Sequence, residues 1–257
     1  MQVKIVFFDI DGTLLNKENV IPDMTKKAVK KLQDNGVYVA IATGRAPFMF
    51  EHIREELGID SYVSFNGQYV VFEGEVIYKN PLKTNELDKL MNRSHQNEHP
   101  LVFLNELTMK SSTDYHHYIQ ESMNSLNFPH PEEDADFYKK EEIYQALVFC
   151  LEEEEEEYKH EYQDFQFVRW HPYSTDVVPA GGSKAEGIKE MIKRLQLDLE
   201  DVYAFGDGLN DIEMLEASGT GVAMGNAFDV VKEAADIVTD HVNEDGIWKG
   251  LKQLNLI

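Results

Sequence analysis

Short apolar runs that stop abruptly at polar residues recur in the first and last parts of the chain. Residues 3–8 are mostly apolar and end at an acid, and similar runs cover residues 37–44, 62–67 and 201–208. A parallel strand that is covered on both faces has this continuous apolar pattern, whereas a half-exposed strand alternates. We therefore predict buried parallel strands at these four places.

Segments with helical spacing separate these runs. Residues 23–35 and 46–58 read as helices that stop at Gly36 and Gly58, and a helix follows Ser183 as its N-cap. Short runs around Gly74 predict a β-hairpin. Further along, we predict helices at 209–218 and 227–235 and short strands at 219–225 and 236–240. Alternating strands and helices predict an α/β fold with a Rossmann-like parallel sheet.

The character of the chain changes between residues 82 and 182, which are more polar and richer in His and Glu. Five short strands and three helices are predicted there. The strands are 101–104, 108–112, 145–151, 166–170 and 174–178, and the helices are 84–96, 114–126 and 152–163. We expect residues 1–81 and 183–257 to form one core domain, with 82–182 inserted as a small α/β domain of its own.

Composition and charge narrow the class of protein. The chain has 257 residues, 42% of them hydrophobic, which is enough for a substantial core. Its formal net charge of -23 disfavours binding to nucleic acid or to an anionic membrane surface. Six consecutive acids at 152–157 are expected to form a solvated helix face. No pattern in the sequence specifies an oligomeric state.

Several observations favour a soluble cytoplasmic protein. The single cysteine, Cys150, lies in an apolar run and is expected to be a buried strand residue without a disulfide. The N-terminal residues lack the apolar stretch of a signal peptide, and no run is long enough to span a membrane.

Polar clusters follow the predicted strands, at the edge where parallel sheets bind their ligands. The first is DIDGT, in which Asp9 and Asp11 project to the same side if the chain stays extended. A carboxylate there can act as a nucleophile or a hard-metal ligand, and its neighbour can transfer protons. Taken alone, the same motif fits an acid-capped turn equally well, because Asp-Gly is a common turn pair.

Two further clusters supply groups that bind anions. In ATGR, the Thr43 hydroxyl and the Gly44 amide can donate hydrogen bonds, although a helix N-cap is the commoner meaning of this pattern. In GGSK, Lys184 lies in the first turn of a helix, where the positive end of the helix dipole already disfavours a cation. A bound anion would explain the lysine, and an ordinary exposed lysine is the alternative.

The fourth cluster, GDGLND, follows a buried strand and is rich in carboxylates. Asp207 and Asp211 offer the hard oxygen ligands that Mg²⁺ prefers, and Asn210 lies between them. Together the four clusters contain a nucleophilic acid, an acid/base, anion donors and a metal site. These are the parts needed to transfer a phosphoryl group. Lys184 and a bound divalent cation would also hold a phosphate despite the acidic surface.

These motifs resemble those of the haloacid dehalogenase superfamily. DIDGT resembles its first motif, Thr43 its second, Lys184 its third and GDGLND its fourth, in the same order over essentially the whole chain. The insertion at 82–182 and the sequence FNG at 65–67 resemble the Cof-type subfamily. The resemblance implies a HAD-like core with an inserted α/β cap that closes over the site and supplies substrate selectivity.

The resemblance also implies a role for each motif residue. Asp9 would form an aspartyl-phosphate, and Asp11 would protonate the leaving oxygen and then deprotonate water. Mg²⁺ would be held by the Asp9 carboxylate, the Asp11 carbonyl and Asp207, with Asp211 supporting the metal ligands. The phosphoryl-binding groups would be Thr43, Gly44, Lys184 and Asn210.

The function that we predict is a Mg²⁺-dependent phosphatase acting on small phosphorylated metabolites such as sugar phosphates. A phosphomutase would use the same intermediate, and a receiver-like signalling domain uses a similar set of residues. The acid/base Asp11 and the large insertion argue against a receiver. Cap residues that could reach a substrate are His116, His117, His130, Trp170 and His171, although each taken singly fits a surface or packing role better.

Overall fold

The computed structural model describes residues 3–257, which cluster into two compact units. The first unit comprises the chain up to Arg45 together with Phe50–Lys79 and Ser183–Ile257. The second comprises Ala46–Met49 and Asn80–Gly182. Among the described residues, every helix is too short or too polar to cross a membrane.

Thirteen strands and ten α-helices make up the described chain, joined by single turns of 3-10 helix. The strands are β1 (Ile5–Phe8), β2 (Tyr38–Ala42), β3 (Tyr62–Ser64), β4 (Tyr69–Phe72), β5 (Glu75–Lys79), β6 (Leu101–Leu104), β7 (Met109–Ser111), β8 (Gln145–Val148), β9 (Phe165–His171), β10 (Ser174–Pro179), β11 (Val202–Gly206), β12 (Thr220–Ala223) and β13 (Ile237–Val238). The helices are α1 (Asp23–Asp34), α2 (Glu51–Leu57), α3 (Thr84–Gln96), α4 (His117–Ser125), α5 (Phe137–Lys140), α6 (Glu152–Glu161), α7 (Lys184–Leu195), α8 (Ile212–Ala217), α9 (Asp229–Ala234) and α10 (Gly246–Gln253).

An eight-stranded sheet forms the centre of the first unit, in the order β13-β12-β11-β1-β2-β3-β4-β5. The strands from β13 to β3 are parallel, and the hairpin β4-β5 adds an antiparallel edge. β1 lies between β11 and β2, so the carboxyl ends of three buried strands meet side by side. That arrangement positions the polar clusters that follow these strands.

The continuous apolar pattern of β1 has a direct structural cause, because helices cover the sheet on both faces. All four residues of β1 are fully buried. On one face Ile5 and Phe7 pack in a cluster with Ile188 of α7 and Met214 of α8. On the other face α10 approaches the sheet, where a methyl group at Gly250 would lie 2.8 Å from the Phe205 ring. The prediction of a doubly covered parallel core is confirmed.

The second unit is built on an antiparallel five-stranded sheet in the order β7-β6-β8-β10-β9. A separate hydrophobic cluster joins this sheet to helices α3, α5 and α6. It includes Leu87 and Leu90 of α3, Phe137 of α5, Tyr158 of α6 and Phe103 of β6. The predicted α/β character of this segment is therefore confirmed.

Several predicted elements differ from those observed. The helix predicted over 46–58 is divided into a 3-10 turn, Pro47–Met49, and α2, because Phe50 between them has a non-helical φ of -129°. The strand predicted over 145–151 ends at Val148. The helices α5 and α10 were not predicted. α5 is a single turn of four residues, too short to show a helical period.

Two single-residue predictions had different outcomes. Cys150 is buried and free, as predicted, although it lies just beyond β8. Burial raises the pKa of its thiol to about 11, which fits a packing residue. The solvated face expected for residues 152–157 is wrong at Glu155, which is 1% exposed and pairs with Arg169 and Lys159.

Candidate active site

The carboxylate of Asp9 lies at the carboxyl end of β1, in the middle of the large sheet. Its backbone N–H donates to the Phe205 carbonyl at 3.0 Å, which extends the β1-β11 ladder by one residue. The residue is 7% exposed. Burial raises the pKa of Asp9 well above its usual value, and the nearby charge of Asp211 adds to this effect.

Lys184 brings a buried ammonium group to this carboxylate. Its Nζ donates to Asp9 Oδ1 at 2.5 Å and to Asp211 Oδ1 at 2.6 Å, although the three residues are far apart in the sequence. Burial alone would lower the pKa of Lys184, but the carboxylates of Asp211 and Asp9 outweigh burial and raise it. The lysine is 1% exposed, so the alternative of an ordinary surface lysine is wrong.

The α7 helix presents Lys184 from its first turn. Ser183 is the N-cap, and its side chain accepts a hydrogen bond from the Glu186 N–H. The predicted cap is therefore confirmed. Lys184 points its charge at two buried acids, which offsets the unfavourable position of a cation at a helix N-terminus.

Asp211 organises the loop after β11. Its Oδ2 accepts hydrogen bonds from the backbone N–H groups of Asp207 and Gly208, at 2.9 and 2.8 Å. Its Oδ1 accepts from Lys184. Both carboxylate oxygens are thus engaged within the protein, and the residue is completely buried.

Asp207 faces Asp9 from the neighbouring strand and is held by two side chains. The Thr13 hydroxyl donates to its Oδ1 at 3.2 Å, and the Asn226 amide donates to its Oδ2 at 3.0 Å. Burial raises the pKa of Asp207 to about 6, and the charge of Asp211 adds to the rise. Gly12, with a φ of +82°, leaves space for this carboxylate, because a Cβ there would overlap it.

The second acid of DIDGT has a different environment. The Asp11 side chain is 59% exposed and forms a two-pronged ion pair with Arg45. Arg45 Nε donates to Oδ2 at 3.0 Å, and Nη2 donates to Oδ1 at 2.5 Å. Asp9 and Asp11 therefore differ in burial and in partner, which is a physical basis for different roles.

The remaining predicted residues lie on the same edge. Thr43 follows β2, and its backbone N–H donates to the Val63 carbonyl at 2.8 Å. Its hydroxyl accepts a hydrogen bond from the Arg45 N–H at 3.1 Å. Gly44 comes next, and Asn210 is exposed on the 3-10 turn Leu209–Asp211.

Three carboxylates converge as a candidate metal centre. Asp9, Asp207 and Asp211 each offer an oxygen, and these atoms lie within 4.8 Å of one another. Burial and the charge of Asp211 raise the pKa of both Asp9 and Asp207, and a cation between the two carboxylates would favour their charged forms. Hard oxygen donors of this kind suit a divalent cation such as Mg²⁺. The fit is best at Asp9 and Asp207, since Asp211 is already fully hydrogen-bonded.

Sequence reasoning missed two residues of this site. Arg45 belongs to the ATGR cluster, but its pairing with Asp11 joins two different strand ends. Asn226 donates to both the Gly12 carbonyl and Asp207, and its Oδ1 accepts from the Val242 N–H. A polar residue just after the apolar run 220–224 was the available signal for Asn226.

Comparison with known proteins agrees with this geometry. A sequence model of haloacid dehalogenase-like hydrolases matches residues 6–251. The putative phosphatase YkrA of Bacillus subtilis is 52% identical over 257 residues, which cover all of both chains. YcsE of the same organism, a 5-amino-6-(5-phospho-D-ribitylamino)uracil phosphatase, is 30% identical and aligns over 98% of this chain and 96% of its own.

A solved structure is also similar to this chain over its whole length. The sugar phosphatase BT4131, of HAD subclass IIB, superposes with a TM-score of 0.86 and 33% identity. The match covers 99% of this chain and all of that one. The strand-end acids, the buried lysine and these full-length similarities lead to one assignment. The chain belongs to the haloacid dehalogenase-like hydrolases, as a phosphatase of their Cof-type branch.

Proposed function

We propose that the protein is a Mg²⁺-dependent phosphatase of small phosphorylated metabolites, and that Asp9 is its nucleophile. An Asp9 oxygen would form a bond to phosphorus as the bond from phosphorus to the leaving oxygen breaks. Asp11, released from the Arg45 fork and protonated, would give its proton to that leaving oxygen. The observation that carries this proposal is the Asp9 carboxylate, fixed at a strand end by Lys184 at 2.5 Å.

The second half of the reaction would reverse the role of Asp11. The Asp11 carboxylate would take a proton from a water molecule, whose oxygen would then form a bond to phosphorus. The bond from phosphorus to Asp9 would break and release inorganic phosphate. The exposure of Asp11 supports this role, because the group must meet both the leaving alcohol and water.

We assign the binding of the phosphoryl oxygens to Thr43, Gly44, Lys184 and Asn210. Lys184 supplies a fixed positive charge, and Thr43 and Gly44 supply short donors on the adjacent strand end. Donors that are already held in place need little reorganisation when charge develops on the phosphoryl group. The buried Lys184, with its carboxylate partners, fits that requirement.

The metal would be held by the carboxylates of Asp9 and Asp207 and by the Asp11 carbonyl. Asp211 would orient the loop that carries Asp207. When bound, Mg²⁺ would neutralise negative charge on the nucleophile and on the phosphoryl oxygens.

Small phosphorylated metabolites are the substrate class that we propose, with residues 82–182 as the substrate-specificity domain. Two proteins similar to this chain are named for such substrates, a phosphorylated ribitylaminouracil and sugar phosphates. A net charge of -23 is unsuited to nucleic acid as a substrate.

The direct test is hydrolysis of p-nitrophenyl phosphate with and without Mg²⁺. We expect release of free phosphate that requires Mg²⁺, and we expect Asp9→Asn to lower kcat by about 10⁴-fold or more, because the covalent step is lost. Asp229→Asn is a matched control, since the Asp229 side chain is 99% exposed. Undiminished activity in Asp9→Asn would refute the mechanism.

A further inference from the structure

The turn that follows β3 has an unusual backbone. Phe65, Asn66 and Gly67 all have left-handed φ angles, of 51°, 51° and 98°. This conformation costs roughly 1 kcal/mol or more for residues other than glycine, and Asn tolerates it better than Phe. Consecutive left-handed residues persist only where their surroundings fix them. The contacts of the turn therefore indicate what it does.

One side of the turn holds the segment after β2. The Asn66 N–H donates to the Thr43 carbonyl at 3.1 Å, and the Phe65 N–H donates to the Arg45 carbonyl at 3.3 Å. The Asn66 side-chain amide lies against Gly44, where an added methyl group would be 3.0 Å from Nδ2. The loop that carries Thr43 and Gly44 is thus bonded to the turn at both of its ends.

The Asn66 side chain is costly for folding. The residue is 6% exposed, and its Oδ1 has no hydrogen-bond partner among the described residues. A buried acceptor without a partner costs roughly 1–3 kcal/mol. The left-handed backbone favours Asn among residues that have a Cβ, but it gives no reason to bury the amide oxygen without a partner.

The other side of the turn contacts the helix that carries Lys184. A Cβ at Gly67 would overlap the carbonyl oxygen of Ser183, the N-cap of α7. One turn along the helix, a Cβ at Gly187 would overlap Val63 and lie 2.9 Å from the Gly67 Cα. Two glycines facing each other let the helix and the turn meet backbone to backbone. Glycine inside a helix costs about 1 kcal/mol, and this close approach explains it.

We propose that the Phe65–Gly67 turn sets the spacing between the two phosphoryl-binding segments, the Thr43–Gly44 loop and the first turn of α7. Asn66, Gly67 and Gly187 are its positioning residues. Asn66 acts through Gly44, and the two glycines act through Lys184. The inference rests on the phosphoryl-binding roles assigned above to Thr43, Gly44 and Lys184.

The glycine side is tested with a matched pair of substitutions. Gly67→Ala and Gly74→Ala both place alanine at a left-handed φ, but nothing lies within 4 Å of a Cβ at Gly74. We expect Gly67→Ala to lower kcat for p-nitrophenyl phosphate by about 100-fold, as expected for a misplacement of about 1 Å. Gly74→Ala should stay within about twofold of the wild type. Equal effects of the two changes would overturn the inference.

A second variant covers the case in which Gly67→Ala does not fold. Gly187→Ala has no left-handed cost and gains helix propensity, so a folded protein is expected. It should still lower kcat by about 10-fold or more, because α7 must shift to admit the methyl group. Wild-type kcat in folded Gly187→Ala would contradict the role of α7 packing.

The Asn66 side is tested by separating side chain from backbone. Asn66→Gly removes the amide and keeps the left-handed conformation accessible. Asn66→Ala removes the amide and also makes the left-handed conformation less favourable. If the amide positions Gly44, both variants should raise the inhibition constant of inorganic phosphate by about 10-fold. Asn255→Gly, at an exposed left-handed position, is the control. Wild-type phosphate inhibition in Asn66→Gly would overturn the role of the side chain.

A structural measurement separates this inference from the proposed function. In crystal structures of Gly67→Ala and Gly187→Ala, the 2.5 Å contact between Lys184 Nζ and Asp9 Oδ1 should lengthen beyond hydrogen-bonding distance. An unchanged contact overturns the inference even if activity falls. If the wild type lacks phosphatase activity, the proposed function fails, and this distance still decides whether the turn positions Lys184.

Discussion

At the scale of single residues, the two acids of DIDGT have separate environments. Asp9 is buried against a lysine, and Asp11 is exposed beside Arg45. Spacing along the sequence predicted that both acids lie at the strand end. It did not predict Arg45 as the partner of Asp11, because the two residues meet only when β1 and β2 become neighbours.

The Arg45–Asp11 pair gives a prediction about leaving groups. Arg45→Ala removes the fork that holds Asp11, so proton donation to the leaving oxygen should become less efficient. We expect kcat/KM to fall by about 10-fold or more for an alkyl phosphate, whose leaving group needs a proton. The loss should be smaller for p-nitrophenyl phosphate, whose leaving group does not. An equal loss for both substrates would instead mean that Arg45 binds the phosphoryl group.

Asn226 gives a prediction about metal affinity. Its amide holds Asp207 and ties it to the Gly12 carbonyl. Groups that orient a metal ligand typically contribute 10- to 100-fold to affinity or activity. Asn226→Ala should therefore raise the Mg²⁺ concentration for half-maximal activity by at least about 10-fold. Asn92→Ala, an exposed change on α3, should leave it unchanged. Wild-type Mg²⁺ dependence in Asn226→Ala would refute this role.

At the scale of elements, prediction was most successful where a full hydrophobic period was available. The helix predicted over 84–96 coincides with α3, and the buried strands of the core lie where the apolar runs indicated. It was least successful where tertiary contacts decide the outcome. Phe50 has a non-helical conformation inside a predicted helix. Glu155 belongs to the acidic run, but its side chain is buried and pairs with Arg169, which is distant in the sequence. Neither outcome has a local signal.

Strand β10 contains a buried acid whose ionisation should control stability. Asp176 is 8% exposed, and burial raises its pKa from 3.8 to about 8, which outweighs the lowering effect of the nearby Gln145 and Trp170 side chains. Between these pH values the unfolded chain releases the proton and the folded chain keeps it. This group therefore makes the protein less stable as the pH rises through that window.

Asp176→Asn removes this titration. We expect the melting temperature of the variant to exceed that of the wild type, with an advantage that is about 5 °C larger at pH 8.5 than at pH 4.5. Asp114→Asn, an exposed change in the same unit, should show no such trend. A pH-independent difference for Asp176→Asn would show that the carboxyl group titrates near its ordinary pKa.

At the scale of the whole molecule, sheet order creates the site. Asp9, Thr43 and Asp207 are distant in the sequence, and they meet because β1 lies between β2 and β11. The alternation of strands and helices predicted a parallel sheet, but the identity of neighbouring strands is set by how the whole chain folds. This is why the four clusters could be recognised separately and Asn226 could not.

The charge of the molecule gives a prediction about Mg²⁺ and stability. At a net charge of -23, any divalent cation stabilises the fold by screening repulsion between acidic side chains. This general effect must be separated from binding of Mg²⁺ at the site. At saturating Mg²⁺ we expect the melting temperature to rise by about 5 °C or more, since the ion binds the folded state. In Asp207→Asn most of this rise should disappear, while the exposed change Asp229→Asn should retain it. An equal rise in all three proteins would mean screening alone.

The most direct test of the central claim is to trap the phosphorylated enzyme. Borohydride reduces an aspartyl-phosphate to homoserine, and peptide mass spectrometry then identifies the modified position. During turnover of p-nitrophenyl phosphate with Mg²⁺, we expect homoserine at position 9 and nowhere else, and none in the absence of substrate. Modification at another acid, or steady turnover with no modification at Asp9, would contradict the assignment of Asp9 as the nucleophile.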